Sequence, residues 1–97
     1  MQSGPRLRIT YCRQCRWLLR AAWLAQELLT TFSEELGEVA LVPGTGGIFE
    51  VHLEDERLWS RKERGRFPEA REIKQMVRDR LAPERDLGHS ERPVGED

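Results

Sequence analysis

Ninety-seven residues suffice for one small domain. Hydrophobic residues make up 38% and charged residues 34%, a globular composition with a heavily charged exterior. Sixteen Lys and Arg against 17 Asp and Glu leave a formal charge of -1, without the basic footprint of a general nucleic-acid binder. Two cysteines are too few for a secreted disulfide scaffold.

Arg6 to Tyr11 alternates, with Leu7, Ile9 and Tyr11 on one side, and predicts a strand. Cys12-Arg13-Gln14-Cys15 follows at once. A helix comes next, its apolar stripe formed by Leu18, Ala21, Ala22, Ala25, Leu28, Leu29 and Phe32, with Gly37 as terminator. Arg20, Gln26 and Glu27 interrupt this most apolar stretch, so it does not read as a bilayer span. No apolar signal core follows Met1, and a cytosolic location is expected. Glu38 to Val42 predicts a short strand buried on both faces, parallel to the first because a helix connects them. Pro43-Gly44-Thr45-Gly46-Gly47 is a loop by composition. Ile48 to Leu53 and Arg57 to Lys62 predict a hairpin, and Lys62 to Arg66 a charged loop. Pro68 suits the first turn of a last helix, whose buried stripe is Ala70, Ile73, Met76, Val77 and Leu81, and Pro83 ends it.

The order β-α-β-β-β-α, with a four-stranded mixed sheet, is that of a small thioredoxin-like α/β domain. Residues 1–82 form that domain, and 83–97 are expected to be a flexible tail, poor in apolar groups.

Cys12 and Cys15 carry the candidate chemistry. Two intervening residues bent into a turn bring the sulfurs within disulfide reach. At the junction between a strand and a helix start, free N–H groups and the helix dipole favour thiolate over thiol. Cys-x-x-Cys in a βαβ context reads as a redox pair. Half of a zinc site is the weaker reading, because His52 and His89 lack ligand spacing. Two inert buried thiols are a third. Metal and cofactor are therefore both expected to be absent.

Several segments together resemble the Rdx family, the selenoprotein W-like proteins. They are Ile9-Thr10-Tyr11-Cys12-Arg13-Gln14-Cys15, Trp17, Leu24-Ala25-Gln26-Glu27-Leu28-Leu29, Gly46-Gly47-Ile48-Phe49-Glu50-Val51, and Leu58-Trp59-Ser60-Arg61-Lys62 with Gly65 and Phe67-Pro68. The resemblance implies a thioredoxin-like fold with an exposed redox pair. In selenium-containing members the second position is selenocysteine, and Cys15 occupies it here. The resemblance also implies glutathione as a small-thiol partner.

Three further features have bland readings beside functional ones. Gly44, Gly46 and Gly47 form a tight loop, or let a partner backbone approach closely, since no proline directly precedes Ile48. Trp17, Trp23 and Trp59 are core or core-edge residues, with Trp17 placed to wall the sulfur site. His52 points away from the core and is a weak proton shuttle.

The leading expectation is a thiol–disulfide redox protein, an oxidoreductase working through a mixed disulfide with a protein thiol or disulfide. The alternative is a redox-sensing interaction module. The attacking sulfur divides the arguments. The resemblance favours Cys15. Position favours Cys12, expected to be more exposed at the helix start, with Cys15 covered by the helix and Trp17. Exposure decides the expectation for Cys12.

Overall fold

The computed structural model describes residues 4–88. The elements are β1 (Arg6–Cys12), α1 (Leu18–Thr31), β2 (Glu38–Gly44), β3 (Phe49–Leu53), β4 (Glu56–Ser60), α2 (Arg61–Arg64) and α3 (Ala70–Leu81). The four strands form one mixed sheet in the order β2-β1-β3-β4. β1 runs parallel to β2 and antiparallel to β3, and β3 and β4 form a hairpin. The topology is the expected thioredoxin-like one, with α2 as an addition.

Register explains the layering. Leu7, Ile9 and Tyr11 of β1 lie opposite Leu53, Val51 and Phe49 of β3, and all six are buried. Side chains alternate along a strand, so these share one face. Ala21, Leu24, Ala25 and Leu28 of α1 and Ile73 and Val77 of α3 close over that face in a single apolar cluster. The opposite face carries Arg8, Thr10, Glu50 and His52, all half-buried. In β4 strict alternation fails. Val51 pairs with Trp59 and His52 with Arg57, leaving Leu58 as an extra residue in a bulge. The bulge lets adjacent Leu58 and Trp59 both enter the core.

Several expectations change. β2 is an edge strand with no fully buried residue, so it is not buried on both faces. Its Cα partners on β1 run on to Gly44, beyond the predicted end at Val42. The fourth strand stops at Ser60, whose hydroxyl accepts a hydrogen bond from the Glu63 N–H and starts α2. Gly65, at φ 79°, ends that turn. The last helix begins at Ala70, two residues after Pro68. A reciprocal pair of glutamates, Glu69 at the cap and Glu72 three residues on, sets the start instead. In α1 the buried stripe gains Leu24 and loses Leu18 and Leu29, which are exposed, and Trp23 also faces outward. The apolar residues of α1 extend well beyond the face that the sheet can cover.

Residues 83–88 lie against the domain. The Arg85 guanidinium pairs with Glu35 at 3.2 Å and stacks 5.3 Å from the Phe32 ring centre. The Arg85 carbonyl accepts from Arg78 at 2.8 Å, and Leu87 packs on the core. Arg85 and Leu87 of the expected tail thus make contacts with the domain. The remainder of that tail, 89–97, lies outside the described residues.

Two predictions follow from this packing. Ending the chain after Glu84 removes the Arg85 contacts and the Leu87 packing. It should lower the melting temperature by about 5–10 °C, given roughly 4–8 °C per kcal/mol for a domain of this size. An unchanged melt by circular dichroism would contradict that. On the open sheet face, burial and then the Arg8 charge hold the His52 imidazole below its ordinary range, with Arg57 adding to the effect and Glu50 opposing it. Its Nδ1 is enclosed without a hydrogen-bond partner. The unfolded chain binds the proton first, so His52 costs nothing above its unfolded pKa. Stability falls as the pH drops below about 6.5. His52→Gln should flatten the loss of stability between neutral pH and about pH 5 in denaturant titrations. An unaltered slope would remove His52 as its source.

Candidate redox site

Cys12 is the last residue of β1, paired in register with Gly44 at the end of β2. The Arg13 N–H donates to the Gly44 carbonyl at 3.0 Å, the last bond that ties this strand end to β2. The chain then turns through residues 13–16 before α1 starts at Leu18. The Cys12 carbonyl accepts from Trp17 and the Arg13 carbonyl from Arg16, so the turn is closed by its own backbone. Cys12 and Cys15 face each other across it as a disulfide, with Cα atoms 5.3 Å apart. Arg16 adopts φ 62°, a left-handed conformation that is costly for a side chain other than Gly, Asn or Asp.

The two sulfur residues differ in exposure. Cys12 is buried, 1% exposed, and Cys15 is exposed. This reverses the expectation that Cys12 would be the open one. The reason is the position of the helix. Cys15 does not lie one turn inside α1, because the turn intervenes and lifts Cys15 clear of the fold. Cys12 stays in the wall of the domain. Trp17 occupies the helix cap position, no side chain caps α1, and its first turn holds no acidic residue.

Trp17 is half-buried beside the turn. Its ring meets Phe67 edge-on at 4.8 Å, and Phe67 meets Phe49 in the same way at 5.2 Å. This aromatic chain braces the turn against β3. Two guanidiniums stack on it: Arg20 lies 4.0 Å from the Phe67 centre, and Arg61 lies 4.9 Å from Trp17 and 5.0 Å from Phe67. Trp59 is fully buried and donates its indole N–H to the Arg66 carbonyl at 3.1 Å, holding the segment that delivers Phe67. Periodicity did not single out Phe67, Arg20 or Arg61. The Phe67-Pro68 pair within the family motif was the available signal for Phe67. Stacking of arginine on a distant ring leaves no local pattern.

The glycine loop lies on the other side. A Cβ on Gly44 would sit 2.8 Å from Ile48 Cγ2 and 3.3 Å from Thr10 Cγ2, so close packing beside Cys12 requires glycine there. Gly46 and Gly47 have φ of 73° and 76° and open space where a side chain would start, with Lys62 Nζ 3.9 Å from that point on Gly46. His52 is not part of the site. It sits opposite Arg8, four residues before Cys12, or about 13 Å along the strand at roughly 3.3 Å per residue. Among the described residues no cluster of three or more His, Cys, Asp and Glu is placed to hold a metal ion.

A family model described as the Rdx family matches residues 6–79, from β1 through the cysteine turn into α3. Two crystal structures align with the chain. A Bordetella parapertussis protein is 62% identical, with TM-score 0.79, covering 81% of this chain and all of its own. A selenoprotein W-related protein from Vibrio cholerae is 56% identical, with TM-score 0.77, covering 79% of this chain and 96% of its own. No curated protein sequence matches. The family match takes in the whole sheet, the disulfide turn, α1 and most of α3, and the chain belongs to the Rdx family.

Proposed function

We propose that the protein exchanges thiols and disulfides with a protein partner, with Cys15 forming the mixed disulfide and Cys12 resolving it. The unequal exposure of the two residues carries this reading, because attack on or by a sulfur requires an approach in line with the S–S bond. In the reducing direction the Cys15 thiolate attacks a partner disulfide. A Cys15–partner S–S bond forms, the partner bond breaks, and one partner sulfur leaves as thiolate with the electron pair. Cys12 then attacks Cys15 Sγ and releases the second partner thiolate. Two electrons pass to the partner, which takes up two protons, and the Cys12–Cys15 bond is restored. With the opposite driving force the same steps run backward.

Arg13 and Arg16 flank Cys15 in sequence, and positive charge beside a sulfur favours the thiolate that this needs. We place the exchange in the cytoplasm, where Cys pairs are more often catalytic than structural. No helix among the described residues is long and apolar enough to cross a membrane. A small thiol such as glutathione would reach the exposed sulfur by the same attack.

Trapping distinguishes the sulfurs. Cys12→Ser keeps the exposed Cys15 and should accumulate stable mixed disulfides, whereas Cys15→Ser should trap little. The same asymmetry should appear in the reduced protein as faster iodoacetamide labelling of Cys15, followed by mass spectrometry. Trapping mainly by Cys15→Ser would return the role to Cys12. A single oxidation without turnover on a test disulfide would favour a redox-sensing module.

A further inference from the structure

The cations of this protein are divided between two situations. On the hairpin, α3 and the far end of α1 they are neutralised: Arg80 with Glu56 at 2.7 Å, Arg66 with Glu72 at 2.7 Å, and Arg85 with Glu35 at 3.2 Å. Around the disulfide they are not. Arg13, Arg16, Arg20, Arg61 and Lys62 form no ion pair among the described residues; away from the turn, Arg8 on the open sheet face and Arg64, stacked on Trp59, form none either. The nearest acidic side chain in sequence, Glu63, is taken by Arg57. Arg13, Arg16 and Arg20 have no Asp or Glu beside them before Glu27, so the disulfide end of α1 is cationic in a chain of net charge -1. Two of these guanidiniums share the Phe67 ring without a counter-charge between them.

An apolar step adjoins this cationic end. Leu19 and Trp23, one helical turn apart, are 82% and 54% exposed, and Leu18 is 46% exposed. Large apolar side chains grouped on a surface and edged by charge mark a docking area. The step begins four residues after Cys15 and runs outward along α1. The exposed sulfur, the apolar step on the outer side of α1 and unpaired Arg13, Arg16 and Arg20 thus all fall within the dozen residues 12–23.

We propose that this surface receives an acidic protein segment carrying an apolar side chain beside its own cysteine or disulfide. The proposal rests on the exchange reading above. Charge complementarity supplies the acidic character, Leu19 and Trp23 the apolar one. The sulfur chemistry selects protein over nucleic acid or lipid, because only the partner's cysteine can complete the exchange. A small anionic thiol would meet the cations without spanning the turn of α1 between Leu19 and Trp23. Association of opposite charges chiefly raises the encounter rate and depends on salt.

The test uses the reduced full chain and a matched set of peptides of equal length, each closed by an internal disulfide. One is acidic with a leucine next to the cysteine, one acidic with serine there, and one basic with leucine. Each initial rate of reduction is divided by that peptide's rate with uncharged dithiothreitol, which removes intrinsic reactivity. The acidic leucine peptide should exceed the basic one about tenfold at low salt, with the gap closing at high salt. Charge reversal by Arg13→Glu with Lys62→Glu, two exposed positions, should abolish or invert the order. Trp23→Ser should erase the advantage of leucine over serine. Equal normalised rates for acidic and basic peptides would overturn the proposal and leave the exchange chemistry standing. Leucine and serine peptides reacting alike would overturn the apolar half. No reduction of any peptide, with the Cys pair still opened by dithiothreitol, would defeat the exchange reading and the proposal with it.

Discussion

The disulfide turn depends on the ladder between β1 and β2. β1 is hydrogen-bonded on both sides, so its position is fixed by two neighbours. At its end the bond from Arg13 to the Gly44 carbonyl holds Cys12 against β2, and the chain must leave the sheet in the next residue. Glycine at 44 is what allows Ile48 and Thr10 to close around that point. A strand end held this firmly leaves one cysteine in the wall of the domain. The short turn beyond it carries the other outward.

The aromatic chain provides the second support. Phe49 belongs to β3, Trp17 to the entrance of α1, and Phe67 to the segment before α3. Three parts of the chain far apart in sequence thus meet beside the disulfide. Rigid, well-packed rings give the turn a fixed seat, which a reactive pair needs if partner geometry is to be reproducible. Arginines stacked on those rings keep positive charge near the sulfur while their hydrophobic planes are covered.

Much of this was legible in the sequence, for physical reasons that vary by element. β1 and β3 showed their alternation because one face is buried and the other half-wet. The parallel pairing of β2 followed from the helix between the strands. The edge position of β2 was not legible, because a short aliphatic run reads alike at an edge and in a centre. β4 was legible only as the return strand of a hairpin, because the bulge at Leu58 breaks the alternation that would mark it. The apolar excess of α1 hid which side packs: Leu18 and Leu24 fit the same spacing rule, and only tertiary contact separates them. The site was legible as a pair of cysteines. Their order of exposure was not, since it hangs on where the helix starts, and helix boundaries are weakly encoded when no Ser, Thr, Asp or Asn marks the cap.

Arg16 shows how the turn was settled between competing demands. Its left-handed backbone would be relaxed by glycine, and a left-handed non-glycine residue carries an energetic penalty. Glycine there would also remove a guanidinium and loosen the unfolded chain. The sequence keeps the costlier residue directly after the exposed cysteine. Anyone transplanting Cys-Arg-Gln-Cys-Arg onto another scaffold would inherit that penalty without the ladder and the aromatic brace that offset it. The motif is therefore a poor portable cassette: its working conformation belongs to the domain and not to the five residues.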